Sequence, residues 1–421
     1  MMPILDHATA KAHAQRSLNR CTTLSKISAM HDGILRQYLS IEHKECNRVV
    51  SEWMTAAGMK TWQDSVGNQW GRIESTTPNA KRLIIGSHLD TVPNAGAYDG
   101  ILGVMLAIEL ADLVTKKQLD LPFHLDVVGF CDEEGTRFAT TLIGSKALAG
   151  QFDANWLSIK DVDGISMREA MIAFGLDTEK YAESALNPDE ILAYWETHIE
   201  QGPVLEHQQQ ALGIVTAIAG AKRAMISYTG CSGHAGTTPL PLRQDSLAGA
   251  AELIVAIEQL AKSANNGEVA TVGQIEAKPG ATNVIPGFTL FSLDARAQDD
   301  NDLEVLLTQI KQRAETIATK RKLTLDWQWT HQAAAVDCDS DIKNLLQAAC
   351  QLNNENSPLL PSGAGHDAMA VAPICPMGML FIRSPGGISH HPKEAVIDDD
   401  IVKAIAVLYS AIVMQKEKML N

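Results

Sequence analysis

The stretch GSHLDTVPNAGAYDG, residues 86–100, places one imidazole (His88) and two carboxylates (Asp90 and Asp99) just past an apolar run of Leu83, Ile84 and Ile85. Imidazole and carboxylate together are the donor set of borderline divalent cations. The apolar run reads as a buried strand, and the ends of such strands are where open α/β sheets gather their chemistry. His88 is therefore a candidate metal ligand. Asp90, two residues on, is placed to orient its ring, and Asp99 sits where the chain turns into a helix.

A His beside an Asp is, on its own, as often a surface ion pair or a capped turn. Four further clusters of the same chemical type tip the balance. CDEEGTRF, residues 131–138, follows the alternating strand His124–Phe130. On an extended backbone the adjacent Glu133 and Glu134 point to opposite sides, so one can bind a cation while the other handles a proton. HIEQGPVLE (198–206), SGAGHDA (362–368) and GGISHHPKE (386–394) follow, and they supply two more strong imidazole candidates, His198 and His390. Ligands scattered this widely belong to an enzyme site assembled by a fold; structural zinc modules use tight Cys and His spacings instead.

Those clusters need elements to hold them. With 421 residues and 45% hydrophobic content the chain can bury a sizeable core and form two domains. Up to Leu212 strand and helix patterns alternate, and the helix after Asp99 carries Leu102, Val104, Met105, Leu106, Ile108, Leu110 and Leu113 on broad apolar faces. From Gly213 the order becomes strand (224–228), helix (246–261), strands (269–275 and 289–295), helix (303–320), strand (323–329). Such a β-α-β-β-α-β order predicts a small antiparallel sheet with two helices on one face. The expectation is an α/β fold in which residues 1–212 and 332–421 form one domain, with an α+β domain inserted at 213–331.

Charge and cysteine content narrow the setting. A formal net charge of -15 argues against nucleic acid and anionic membrane as partners. A small anionic substrate remains compatible, because bound cations and a few arginines would dominate the local field. Seven cysteines, an odd number without a CxxC pair, argue against a disulfide framework and for a reducing cytoplasm. The start, MMPILDHATAKAHAQ, lacks the pattern of a secretory signal, and no apolar run is long enough to span a bilayer.

From about Asn47 onward, the ordered series GSHLDTV, DEEGTRF, HIEQGP, HAGTTP, NVIPG and GISHHP resembles the M20 metallopeptidase-like amidohydrolases. The resemblance is to their hydantoinase/carbamoylase branch, which holds N-carbamoyl-amino-acid hydrolases, β-ureidopropionases and allantoate amidohydrolases. It implies a catalytic domain with an inserted lid/dimerisation domain, and two divalent ions, zinc or manganese, per subunit. Asp99 would bridge the ions, with His88 and His198 on one and Glu134 and His390 on the other. His391 is passed over, because the family ligand directly follows the Ser of GxSH. Glu133 would be the general base and acid, Asp90 would hydrogen-bond His88, and the peptide joining Asp99 to Gly100 would be cis. His234 of HAGTTP would polarise the scissile carbonyl from the partner subunit of a homodimer. Gln201 would hold the amide end of the substrate, Asn283 and Arg296 its carboxylate, with the Gly386 and Gly387 backbone as further donors.

The chain departs from the family at Asp132, where a third glutamate is common, and at Ala95, where glycine is. Neither change removes a ligand. DEEGTRFATTLIGS and GMLFIRSPGGISHHPKE look most like allantoate amidohydrolases, with Arg383 as the distinguishing residue. The implied reaction is cleavage of a ureido C–N bond in a small carboxylate, allantoate first, with release of ammonia. N-carbamoyl-L-amino acids or β-ureidopropionate come next, then ureidoglycolate or a peptide. A non-catalytic binding protein on this fold would be expected to have lost a ligand or the base, and here all are present.

Overall fold

A computed structural model describes residues 4–420; Met1–Pro3, the first residues of the N-terminal segment read above, and Asn421 lie outside the described residues. The chain divides into two compact units: Met1–Thr216 with Cys338–Leu360 and Gly365–Asn421, and Ala217–Asp337 with Pro361–Ala364. The chain passes back to the first unit later than position 331, because the strand Thr324–Ala333 runs four residues beyond its expected end.

The first unit is built on a mixed sheet. Its strands lie in the order Lys60–Gln63, Gln69–Ile73, His124–Phe130, Arg82–His88, Ile191–Ile199, Met377–Ile382 and Leu212–Ile218. The four central strands, from His124–Phe130 to Met377–Ile382, are mutually parallel; Gln69–Ile73 and Leu212–Ile218 flank them antiparallel, and Lys60–Gln63 is antiparallel to Gln69–Ile73. Parallel strands are covered on both faces and so read as near-continuous apolar runs. Arg82–His88 fits, being buried at every position after the first. Helices His7–Leu24, Ile41–Ala56, Ile101–Lys116 and Asp398–Leu420 contribute Leu18, Val50, Leu106, Leu110, Ile405, Leu408 and Ile412 to one core. Helix Ile101–Lys116 is buried from Ile101 to Val114, which accounts for apolar residues on more than one of its faces. Because the central strands are parallel, their C-terminal ends emerge along one edge. That edge carries His88, the 131–134 turn, His198 and the 383–390 loop.

The turn into helix Ile101–Lys116 fixes Asp99. Gly100 has φ +72°, and a Cβ there would lie 2.4 Å from the His88 ring. Glycine is required both for the left-handed backbone and for the approach of that ring. The expected cis bond at Asp99–Gly100 is not found, since among the described residues the cis bond is Lys278–Pro279. The left-handed glycine turns the chain without it.

In the second unit an antiparallel sheet runs in the order Ile275–Lys278, Phe288–Ala297, Gly220–Thr229, Thr324–Ala333. Helices Ser246–Ser263 and Asp300–Arg321 cover one face, where Ile226, Tyr228, Leu253, Ile257, Phe291, Leu293, Leu306 and Ile310 form a separate core. Strand Phe288–Ala297 alternates strictly between buried and half-buried, so Ser292, Asp294 and Arg296 share the face away from the helices. The single strand expected at 269–275 is two, Val269–Thr271 and Ile275–Lys278. The break lies where Ser292 Oγ accepts the N–H groups of Gly273 (3.2 Å) and Gln274 (3.0 Å) in place of ladder partners. No helix among the described residues is long and apolar enough to cross a membrane.

Helix Ile41–Ala56 generates a stability prediction. Ser40 caps it by accepting the His43 N–H, and the buried His43 ring stacks on Phe174 at 4.7 Å. His43 Nδ1 accepts the Leu39 N–H at 3.0 Å. Burial lowers the His43 pKa from 6.5 to about 4. Between those values the unfolded chain binds the proton and the folded chain does not, so stability should fall as pH drops through the window. The loss is roughly 3 kcal/mol if nothing else titrates. Urea unfolding from pH 7 to pH 4 should show this decline, and it should shrink in His43→Asn, which cannot titrate.

Candidate metal and hydrolytic site

His88 ends its strand, His198 is the penultimate residue of Ile191–Ile199, and Asp99 precedes its helix. Glu133 and Glu134 follow strand His124–Phe130, while His390 lies in the loop beyond Met377–Ile382. These side chains meet around Asp99. Its Oδ1 faces His198 Nε2 at 3.1 Å and His88 Nε2 at 3.6 Å. Its Oδ2 faces His390 Nε2 at 3.2 Å, and His390 Nε2 is in turn 3.4 Å from Glu134 Oε1. Two groups of potential ligands, His88–Asp99–His198 and Asp99–Glu134–His390, thus share one carboxylate, and in each all ligand atoms lie within 4.8 Å of one another.

The hydrogen bonding of the imidazoles sets the direction of their ring nitrogens. His198 Nδ1 donates to the Ile199 carbonyl at 2.9 Å, and His88 Nδ1 lies 3.2 Å from the Asp90 carbonyl. In these tautomers each Nε2 carries a lone pair toward Asp99. His198 Nε2 is buried and makes no hydrogen bond despite its 3.1 Å approach to Oδ1, so the contact is close without hydrogen-bond alignment. Two acceptors facing each other need positive charge between them, from protons or from a cation. The electrostatics carry the same demand. Burial works against the charged forms, yet the neighbouring carboxylates raise the pKa of His88 well above its usual value and raise that of His198. Asp99 and Glu134 push His390 up to about 10. Burial would raise Asp99, but His198, His390 and His88 hold it well below the usual carboxylate range. The donor set and the lone-pair directions fit divalent cations.

Asp90 acts more broadly than as a partner of His88. Its Oδ1 lies 3.5 Å from His88 Nδ1 and accepts the Glu133 N–H at 3.0 Å, while Oδ2 accepts the Glu134 N–H at 3.1 Å. One buried carboxylate therefore ties the His88 strand end to the Glu133–Glu134 turn. Glu133 is half-buried and groups with His88 and Glu134. Burial holds its carboxyl well above the usual range; His88 opposes this, and Glu134, Asp367 and Asp90 reinforce it. A carboxyl whose pKa is raised beside a candidate metal centre is suited to accept and return a proton.

Other expected residues are engaged differently. Gln201 Nε2 donates to Asp99 Oδ2 at 2.8 Å, leaving Gln201 Oε1 buried without a partner. The Gly386 N–H donates to Glu206 Oε2 and the Gly387 N–H to the Ser384 carbonyl, each at 2.8 Å. Arg383, read from sequence as a marker of substrate choice, forks onto the buried Asp400 through two 2.8 Å bonds. It anchors the start of the C-terminal helix. In the second unit His234 is exposed, its Nδ1 accepting the Gly236 N–H at 3.0 Å, and Asn283 is exposed as well. Arg296 is paired with Asp294 through both Nε (2.9 Å) and Nη2 (3.0 Å).

Three residues of the site escaped sequence reasoning. Ser389 Oγ donates to Asp99 Oδ2 at 2.7 Å and lies 3.1 Å from Glu394 Oε2. Glu394 Oε1 accepts the N–H groups of Tyr98 (2.8 Å) and Asp99 (3.1 Å). A Cβ on Gly96 would meet the Glu394 side chain at 2.3 Å, so glycine is needed there as well. His366 packs its buried ring on His198, with centroids 4.5 Å apart. Burial, then the charge of His198, keeps its pKa well below the usual value. Ser389 and Glu394 both stand in GGISHHPKE, and a polar residue beside a ligand in such a cluster is the available signal for a supporting role.

Comparison with known proteins places this geometry. The model for Peptidase family M20/M25/M40 matches residues 84–414. The chain is 38% identical to allantoate deiminase 1 of Glycine max over 412 residues, covering 91% of this chain and 85% of that protein. It is 39% identical to the N-carbamoyl-L-amino acid amidohydrolase of Geobacillus stearothermophilus over 380 residues, covering 90% and 93%. The crystal structure of a hydantoinase/carbamoylase family amidase from Burkholderia multivorans superposes with a TM-score of 0.90 at 30% identity, covering 96% and 98%.

Glu394 provides the test of how Asp99 is held. Glu394→Ala leaves the buried N–H groups of Tyr98 and Asp99 unpaired, at about 1–3 kcal/mol each. Glu394→Gln keeps an acceptor for both and should stay within about 1 kcal/mol of the parent. Urea unfolding of the metal-free proteins should separate the two variants in that order.

Proposed function

The chain belongs to the M20/M25/M40 peptidase family, and from that footing we propose that it is a metal-dependent amidohydrolase that cleaves a ureido C–N bond of allantoate with release of ammonia. The observation that carries this reading is the division of Asp99: one oxygen faces His88 and His198, the other His390 with Glu134 beyond it, and Glu133 stands alongside. We take His88, Asp99 and His198 to hold one divalent ion and Asp99, Glu134 and His390 a second. Zinc and manganese both suit this mixture of imidazole and carboxylate. Such ions, when bound, supply an acidified water and polarise a carbonyl.

The protein's own residues then divide the work. Glu133 takes the proton of the attacking water and returns it to the departing nitrogen as the C–N bond breaks. Asp90 keeps both glutamates in place through their N–H groups and orients His88. Ser389 and Glu394 fix the Asp99 carboxylate and its backbone. Gln201, whose Oε1 lacks a partner, is assigned to the amide end of the substrate. Arg296 and Asn283 are assigned to the substrate carboxylate, and the N–H groups of Gly386 and Gly387 to the same group once their present partners yield. We further propose a homodimer in which His234 serves the partner's site. Exposed Leu240 and Leu242, at 77% and 73% accessibility in the segment after His234, support a contact of that kind. A cytoplasmic location accords with seven cysteines and no disulfide among the described residues.

A second reading, hydrolysis of N-carbamoyl-L-amino acids, is favoured by the 39% identity to the Geobacillus stearothermophilus enzyme. The two readings share the metals and Glu133 and differ only in the substrate body. Purified protein stripped with a chelator should lose turnover and regain it with manganese or zinc. Ammonia release should be faster from allantoate than from N-carbamoyl-L-amino acids; the opposite preference selects the second reading. Glu133→Gln should keep its metal content and lose about 100- to 10,000-fold in kcat, the usual cost of removing a general acid/base. Loss of metal from this variant would mean that Glu133 and Glu134 had been assigned in the wrong order.

A further inference from the structure

The face of the second unit's sheet turned away from its helices carries an open cavity of about 700 Å3, lined by Arg223, Asp294, Arg296, Ser292, Gln274 and Gly363 among others. In a chain of net charge -15 this lining is locally cationic, with two guanidinium groups against one carboxylate. Asp294 lies between them. Its Oδ1 accepts Arg296 Nε at 2.9 Å, and its Oδ2 accepts Arg296 Nη2 at 3.0 Å and Arg223 Nε at 2.8 Å. The third nitrogen of Arg296, Nη1, donates to the Gly363 carbonyl at 2.5 Å.

Counting hydrogens shows what this leaves. A guanidinium has five N–H bonds in one plane. In Arg296 one on Nε, one on Nη2 and one on Nη1 are used, so one hydrogen remains on each terminal nitrogen. Asp294 occupies the Nε–Nη2 edge, so bidentate, in-plane capture of a carboxylate uses the terminal Nη1–Nη2 edge and requires the Gly363 carbonyl to take the Nη1 hydrogen on the Cδ side. Arg296 is only 28% exposed at its side chain and is held on three nitrogens, so the plane in which the remaining pair points is set before any ligand arrives. Arg223, 47% exposed, takes up part of the Asp294 charge that would otherwise repel an incoming anion.

We infer that Asp294 is a positioning residue: it aims Arg296 so that its two remaining N–H groups receive the carboxylate of the substrate, and Arg223 keeps this cavity net cationic while it does so. The inference rests on the assignment of Arg296 to the substrate carboxylate. It makes selectivity for an acid over its uncharged analogue a property of three side chains. A mere counter-ion would compete with the substrate and weaken its binding, whereas an aiming group strengthens it. Removal of the Asp294 charge therefore changes affinity in opposite directions under the two roles.

The test is steady-state kinetics of the metal-loaded full-length enzyme on allantoate and on its uncharged carboxamide, for Asp294→Asn and Arg296→Ala. Asp294→Asn should raise KM for allantoate about tenfold although it adds net positive charge, the penalty of a misaligned fork. The ratio of kcat/KM for allantoate over that for the carboxamide should fall by a similar factor, a change that general loss of folding would not produce. Asp294→Glu, which keeps the charge and shifts the carboxylate by one methylene, should raise KM as well and serves if the asparagine variant does not fold. An unchanged or lower KM in Asp294→Asn, with Arg296→Ala raising it, would overturn the inference alone. An unchanged KM in Arg296→Ala would instead overturn the assignment of Arg296 on which it rests.

Discussion

Asp99 can sit buried where it does only because both of its oxygens are paired or hydrogen-bonded. It is buried at 5% exposure, three imidazoles point at it, and Ser389 and Gln201 donate to the same Oδ2 that faces His390. A buried carboxylate is tolerated only when paired or hydrogen-bonded. Here the partners come from two strand ends, at His88 and His198, and from the loops that carry Gln201 and Ser389–His390. The parallel arrangement of strands His124–Phe130, Arg82–His88, Ile191–Ile199 and Met377–Ile382 is what brings them to one edge. The sheet supplies the convergence, and the left-handed Gly100 supplies the exit that leaves the carboxylate at the end of a helix.

Around that centre the carboxylates act at different levels. Asp99 and Glu134 face imidazole nitrogens, Asp90 and Glu394 face backbone N–H groups, and Glu133 groups with His88 and Glu134. Each of the two backbone-binding groups joins segments far apart in the chain: Asp90 to the 133–134 turn, Glu394 to the 98–99 turn. Removing either loosens a ligand without deleting one. This makes the supporting carboxylates as important to geometry as the ligands themselves.

The candidate ligands were legible in the sequence because their chemistry restricts them: few side chains suit a borderline cation, and strand-end motifs advertised where they stand. The two-unit α/β organisation was legible for a related reason, since strand and helix periods differ. What was not legible depended on partners. Arg383, read as the residue that distinguishes one branch of the family, gave no hint that Asp400, seventeen positions on, accepts from its Nε and Nη2. Glu394 gave no hint of its bond to a backbone 295 residues away. The break after Thr271 depends on Ser292, a side chain from the neighbouring strand. Asp294 was likewise passed over, although two residues before Arg296 on a strand it had to share that face. The expected cis bond failed because a left-handed glycine does the same turning.

The central claim is that one carboxylate serves two cations held by different imidazoles. Calorimetric titration of metal-free protein with manganese or zinc, with metal analysis of the dialysed product, tests it directly. The account predicts two ions per chain in the parent and one in each of His88→Ala and His390→Ala, the surviving site differing between them. A single ion per chain in the parent, or two retained in either variant, would contradict it.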